Sequence, residues 1–146
     1  MTAVSSILAS KPDRATHTIS PDATVFDAVQ LMADRQVGAL VVVQDDEVVG
    51  IVTERDYARK IILWDRTSRH TLVREIMTSS VLYVRPEHTS QQCMALMTQN
   101  RVRHLPVMDR DRLVGIVSIG DLVRDIISEQ MFIIEQLEHY IAGELS

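Results

Sequence analysis

Gly50-Ile51-Val52-Thr53-Glu54-Arg55-Asp56 returns 65 residues later as Gly115-Ile116-Val117-Ser118-Ile119-Gly120-Asp121. Sliding the chain by 65 positions aligns Ile19–Ile62 with Val84–Ile127 without a gap. Pro21 then meets Pro86, Thr24 meets Thr89, Leu31-Met32 meets Leu96-Met97, Val37 meets Val102 and Leu40 meets Leu105. The chain is an internal duplication, and each copy is one structural unit.

The copies share one pattern. Pro21-Asp22-Ala23-Thr24 and Pro86-Glu87-His88-Thr89 begin helices. Val25, Ala28, Val29 and Met32 then recur at the spacing of one buried helix face. Cys93, Met94 and Met97 repeat that face, so Cys93, aligned with Ala28, reads as a small core residue. Ala39–Val43 and Val48–Val52 flank Gln44-Asp45-Asp46-Glu47 as a hairpin, and Leu105–Met108 and Leu113–Val117 flank Asp109-Arg110-Asp111-Arg112 likewise. The Thr/Ser-x-x-Asp tetrads open closing helices, Asp56–Leu63 and Asp121–Met131.

The expected fold is therefore α/β (α+β): two β-α-β-β-α repeats packed sheet to sheet with pseudo-twofold symmetry, since half a core per copy is marginal alone. We divide the chain into a lead-in (1–16), repeat one (17–63), a linker with a short helix at Thr71–Met77 (64–80), repeat two (81–128) and a C-terminal helix (129–146). In that tail Met131, Ile134, Leu137, Glu138 and Ile141 follow helical spacing. It either folds back on its own repeats or buries a homodimer contact, and the second reading is preferred.

Bulk properties exclude several classes. The 146 residues are 46% apolar and 24% charged, as in an ordinary folded domain. No apolar run is long enough for a signal peptide core or a membrane span, and the lone Cys93 suits a reducing compartment, so a cytoplasmic location is expected. A net charge of -5 and only six aromatic residues argue against nucleic-acid binding. No dinucleotide fingerprint, phosphate loop, zinc-protease motif or nucleophile elbow is present, so no enzyme is expected. The five histidines are scattered without a short-range pair at ligand spacing, so no metal is expected either. The fifteen cations are thirteen arginines and two lysines, Lys11 and Lys60.

The tetrads admit two readings. As capping boxes, Thr53 and Ser118 accept from the amide three residues on, and Asp56 and Asp121 suit the positive end of a helix dipole. As a binding device, each carboxylate accepts both hydroxyls of a ribose, while the hydroxyl and the free amides of the turn meet a phosphate. The two readings are compatible.

The two ungapped copies, the Val37-Gly38-Ala39 and Val102-Arg103-His104-Leu105-Pro106-Val107 turns, and both G-I-V-[S/T]-x-x-D closures resemble a tandem pair of CBS domains over nearly the whole chain. This is the Bateman module, here similar to stand-alone bacterial CBS-pair proteins. The resemblance implies a usually dimeric regulatory module that binds adenosine-containing ligands in clefts between its repeats and signals to a protein partner. AMP, or ADP or ATP, is the first expectation, with NAD or NADH as runner-up and a ligand-free interaction scaffold as the alternative of another class. It places adenine against His17, Thr18, Val37, Gly38 and Ala39 in one copy and Leu82, Tyr83, Val102, Arg103, His104 and Pro106 in the other. Arg103 and His104 replace two small residues and stand where the family often contacts phosphate; a solvated loop edge is the other account of them. Arg55 lies inside the first tetrad where the second has Gly120, so the two sites are expected to be unequal.

Overall fold

The computed structural model describes residues 2–13 and 15–145, with side chains to residue 143. The chain is mixed α/β, with six α-helices and two sheets among the described residues. It gathers into two compact units: Ala15–Tyr83 with Met108–Val114, and Met1–Arg14 with Val84–Val107 and Gly115–Ser146.

The first-repeat unit runs β1 (Thr18–Ile19), α2 (Val25–Arg35), β2 (Ala39–Gln44), β3 (Glu47–Thr53) and α3 (Glu54–Tyr57), with α1 (Val4–Ser10) preceding it in sequence. A single π-helical turn, Ala58–Ile62, follows α3, and α4 (Val73–Ile76) completes the unit. Thr24 caps α2 by accepting from the Asp27 amide, and Gln36 closes it in the left-handed region at φ 55°. β1 pairs parallel to β2, and β2 pairs antiparallel to β3 with Leu40 opposite Val52. Asp45 and Asp46 turn the hairpin at φ 52° and 63°, a two-residue turn whose twist suits the strands.

The second repeat follows the same plan as α5 (Ser90–Asn100), β4 (His104–Asp109), β5 (Arg112–Ser118) and α6 (Ile119–Leu145). Thr89 and Arg101 repeat the cap and the left-handed close, the latter at φ 54°.

One exchange was not visible in the pattern. Each short segment that precedes a repeat in sequence completes the core of the other repeat. α1 lies in the second-repeat unit, where Val4 and Ile7 pack with Val84, Cys93, Leu105 and Leu122. Its backbone joins the start of α5 through Val4 N–H to His88 O at 2.8 Å and Ser90 N–H to Thr2 O at 2.8 Å. α4 does the same for α2: Val25 N–H reaches Thr71 O, Val73 N–H reaches Ala23 O, and Val73 and Ile76 enter the core of Val25, Leu40 and Val52. Full burial of such side chains stabilises each unit by about 1.5–3 kcal/mol apiece.

The repeated glycines serve this exchange. A Cβ on Gly50 would lie 2.6 Å from Met77 Sδ and 3.0 Å from Thr78 O, and one on Gly115 would lie 2.8 Å from Leu8 Cδ2. Gly50 and Gly115 thus leave the space into which the docked segment seats.

Two expectations are corrected. The second repeat lacks a first strand at Leu82-Tyr83; both residues are exposed, and a single parallel bridge joins Val84 to Val107. In the first repeat Val41 donates its N–H to His17 O, whereas the aligned Pro106 has no N–H to give. Nor is the C-terminal helix a separate element beginning near residue 129. α6 runs unbroken through 27 residues, because no proline or glycine interrupts it between Gly120 and Gly143.

Candidate functional site

Both tetrads fold as helix starts. Thr53 accepts from the Asp56 amide at 3.2 Å, while Asp56 Oδ2 takes the Thr53 N–H at 2.9 Å and the Thr53 hydroxyl at 3.1 Å. Ser118 accepts from the Asp121 amide at 3.1 Å, and Asp121 Oδ2 takes the Ser118 N–H at 2.8 Å. The capping reading therefore describes the local geometry of both. It does not account for the burial: Asp56 is 8% and Asp121 5% exposed, where a cap is satisfied equally well at the surface.

A buried carboxylate needs a counter-charge. Lys60 Nζ lies 3.2 Å from Asp56 Oδ1 and donates to Ile76 O at 2.8 Å. Lys11 Nζ lies 3.1 Å from Asp121 Oδ2 and donates to Ile116 O at 2.9 Å. Arg124 pairs with Asp121 Oδ1. The only two lysines of the chain thus each hold one tetrad acid. Sequence reasoning missed both, because Lys60 aligns with Asp125 and Lys11 with Ile76, so neither is repeated. The signal that remained was scarcity, two lysines among fifteen cations, with Lys60 four residues beyond Asp56.

The turn residues meet the tetrads within each unit. Ala39 opens β2 opposite Thr53, and Gly38 O accepts the Glu54 N–H at 3.1 Å. In the other unit Arg103 O accepts the Ile119 N–H at 2.8 Å, which sets His104 at the head of β4. Val37 and Val102 pack half-buried against their respective cores. His17 is half-buried and Thr18 exposed on β1, while Arg55 and Arg103 are exposed. Pro106 is buried in β4. Leu82 and Tyr83 are exposed and stand outside any strand.

The second-repeat tetrad has a distinct electrostatic character. Burial pushes the Asp121 carboxyl up, but the Ser118 N–H and the Lys11 ammonium outweigh it and hold the group below the ordinary carboxylate range. Burial pushes the His104 imidazole below 6.5, with Lys11 and Arg103 acting the same way and Asp121 opposing. The site thus favours the neutral form of His104 and the charged form of Asp121. Among the described residues no group of three or more His, Cys, Asp or Glu could hold a metal ion, and no helix is long and apolar enough to cross a membrane.

The sequence pattern defined for the CBS domain matches residues 4–63 and 73–128. A mitochondrial CBS domain-containing protein of Arabidopsis thaliana, CBSX3, is 46% identical over 127 residues, 84% of this chain and 62% of that protein, so the chain spans less than two thirds of its length. The solved structure of a protein with CBS domains from Burkholderia ambifaria is 52% identical with a TM-score of 0.86, covering 88% of this chain and 96% of that one. A CBS domain pair solved in complex with 5′-methylthioadenosine and S-adenosyl-L-methionine is 26% identical with a TM-score of 0.78, covering 88% of this chain and 98% of that one.

Proposed function

The chain belongs to the CBS-domain family, whose pairs are regulatory modules, and from that premise we propose that it senses an adenine nucleotide, AMP or a related adenosyl ligand such as ADP or ATP. The observation that carries this reading is a buried aspartate set by its own helix cap beside a strand-opening turn, present twice. A ribose presents two adjacent hydroxyl donors, and a carboxylate oriented by its neighbours accepts both without reorganising. Thr53, Arg55 and Asp56, with His17, Thr18, Val37, Gly38 and Ala39, make up one set of contacts. Ser118 and Asp121, with Leu82, Tyr83, Val102, Arg103, His104 and Pro106, make up the other. The solved complex with two adenosyl compounds gives this ligand class its support.

Ligand binding acts by population shift, favouring one conformation whose surface a protein partner reads. The protein works as a cytoplasmic homodimer. The support is α6, where Ile127, Met131, Ile134, Leu137 and Ile141 are all half-exposed or more along one helix, an apolar face suited to a second copy. The reading is regulatory and not catalytic, so a bound nucleotide is recovered unchanged.

Titration calorimetry of nucleotide-stripped protein against adenosine, AMP, ADP, ATP, S-adenosylmethionine, NAD and NADH tests it. Saturable heat for an adenine mononucleotide supports the reading. Preference for NAD or NADH makes the module a redox-state sensor. Silence from the whole panel leaves a protein-interaction scaffold whose tetrads are helix caps.

A further inference from the structure

The two tetrads are alike in their caps and unlike in what covers the outer carboxylate oxygen. In both, Oδ2 is the inner oxygen, occupied by the backbone N–H of Thr53 or Ser118. Oδ1 is the oxygen left for a ligand. At Asp56, Oδ1 is held by the Lys60 ammonium at 3.2 Å, and that ammonium is tied at the same time to the Ile76 carbonyl at 2.8 Å. The Lys60 side chain is 29% exposed and anchored to two acceptors, so it cannot swing away without abandoning both. At Asp121 the anchored ammonium, Lys11, goes instead to Oδ2, the oxygen the cap already uses. Oδ1 there meets Arg124, whose side chain is 66% exposed and sits three residues along the same helix. The arginine is the exposed member of that pair, the Asp121 side chain itself being 3% exposed, and an exposed guanidinium gives up its partner to water at little cost.

A vicinal diol donates two hydrogen bonds and needs acceptor positions that are not already filled; one carboxylate oxygen offers about two lone-pair positions. Asp121 opens to such a diol when Arg124 turns into solvent, and Lys11 keeps the buried carboxylate neutralised throughout. Asp56 opens only if Lys60 leaves two partners at once. We infer that the Asp121 tetrad is the one that takes the ligand's diol, and that at the Asp56 tetrad Lys60 stands where the ligand's hydroxyls would, making it a self-filled structural cap. This inference rests on the adenosyl-ligand reading and adds which of the two acids serves it.

The test is the stoichiometry of AMP, and in parallel of S-adenosyl-L-methionine, by calorimetry on the whole chain. The parent protein binds one equivalent, and Asp121→Asn weakens it by at least about tenfold, the loss expected for hydrogen bonds to a charged acceptor. Lys60→Met removes the ammonium and gains a second equivalent, which Asp56→Asn in the same background removes again. Lys60→Gln, a gentler change, shows the same gain if the methionine variant fails to fold. Two equivalents in the parent, or one in both folded Lys60 variants, overturns the inference while the adenosyl reading stands. No saturable heat from either compound in parent and variants alike overturns the inference, and silence from the rest of the adenosine panel as well overturns the adenosyl reading with it.

Discussion

Lys11, in the segment before the first repeat, places its ammonium 3.1 Å from the Asp121 carboxylate of the second repeat and 2.9 Å from the carbonyl of Ile116. The pair neutralises a nearly buried acid from a part of the chain that the duplication pattern does not include. Lys11→Met leaves Asp121 with the Ser118 N–H and the exposed Arg124. Stability to urea should fall by about 1–2 kcal/mol, below the cost of stripping a fully buried pair because Arg124 and solvent remain. Lys11→Arg should recover part of the loss, and an unchanged midpoint would show that the ammonium contributes nothing.

The two repeated glycines should not respond equally to a methyl group. Gly50→Ala drives its Cβ against the sulfur of Met77 and the carbonyl of Thr78, and that carbonyl is fixed by its bond from Ile51 N–H at 3.0 Å. Gly115→Ala meets the mobile end of Leu8 alone. Thermal melts should show a cost of about 1–3 kcal/mol at Gly50 and less at Gly115. Adding Leu8→Ala should relieve the clash at Gly115, whereas adding Met77→Ala should not fully relieve the one at Gly50.

His104 gives stability a pH dependence of known sign. Its folded-state pKa lies below 6.5, so as pH falls through 6.5 the unfolded chain takes up a proton that the folded one refuses. Stability is flat above that point and declines below it. The lowered carboxyl of Asp121 contributes only further into acid, below its ordinary 3.8. His104→Ala, which installs the residue aligned with it in the first repeat, should flatten the melting temperature between about pH 7 and 5. A parent protein equally stable at both ends would contradict the burial of a neutral imidazole.

Pro106→Val should lengthen the second sheet. The new N–H stands at the position from which Val41 donates to His17 O in the first repeat. Hydrogen exchange should show protection at residue 106 and slower exchange at Val84. Net stability should change by less than about 1 kcal/mol, because removing proline also loosens the unfolded chain.

Much of this was legible from residues with local causes. Thr24 and Thr89 announced their helices, and each hairpin followed from two β-branched runs around a short polar turn. Helical spacing correctly named Val25, Ala28, Met32, Cys93 and Met97 as buried. Spacing states that a face is buried and not what covers it, so the exchange of α1 and α4 was invisible. Lys11 and Lys60 escaped for a related reason: alignment rewards equivalent positions, and these lysines reach equivalent acids from inequivalent places. The continuity of α6 was available, since nothing breaks it, but comparison with the first repeat suggested a stop where only that repeat stops. There the helix gives way to the π turn, and Asp65 turns the chain in the left-handed region at φ 55°.

The exchange of the short segments also orders events during synthesis. The first-repeat unit has its sheet, its helix and α4 once the chain has grown past Ile76, and all of these are near neighbours in sequence. α1 emerges earlier than any of them, yet Val4 and Ile7 have nowhere to go until Val84, Cys93, Leu105 and Leu122 exist. Contacts of such long sequence separation close slowly. On the ribosome α1 is made before the helices of either repeat yet is seated after those of the first, and until then its apolar side chains travel exposed.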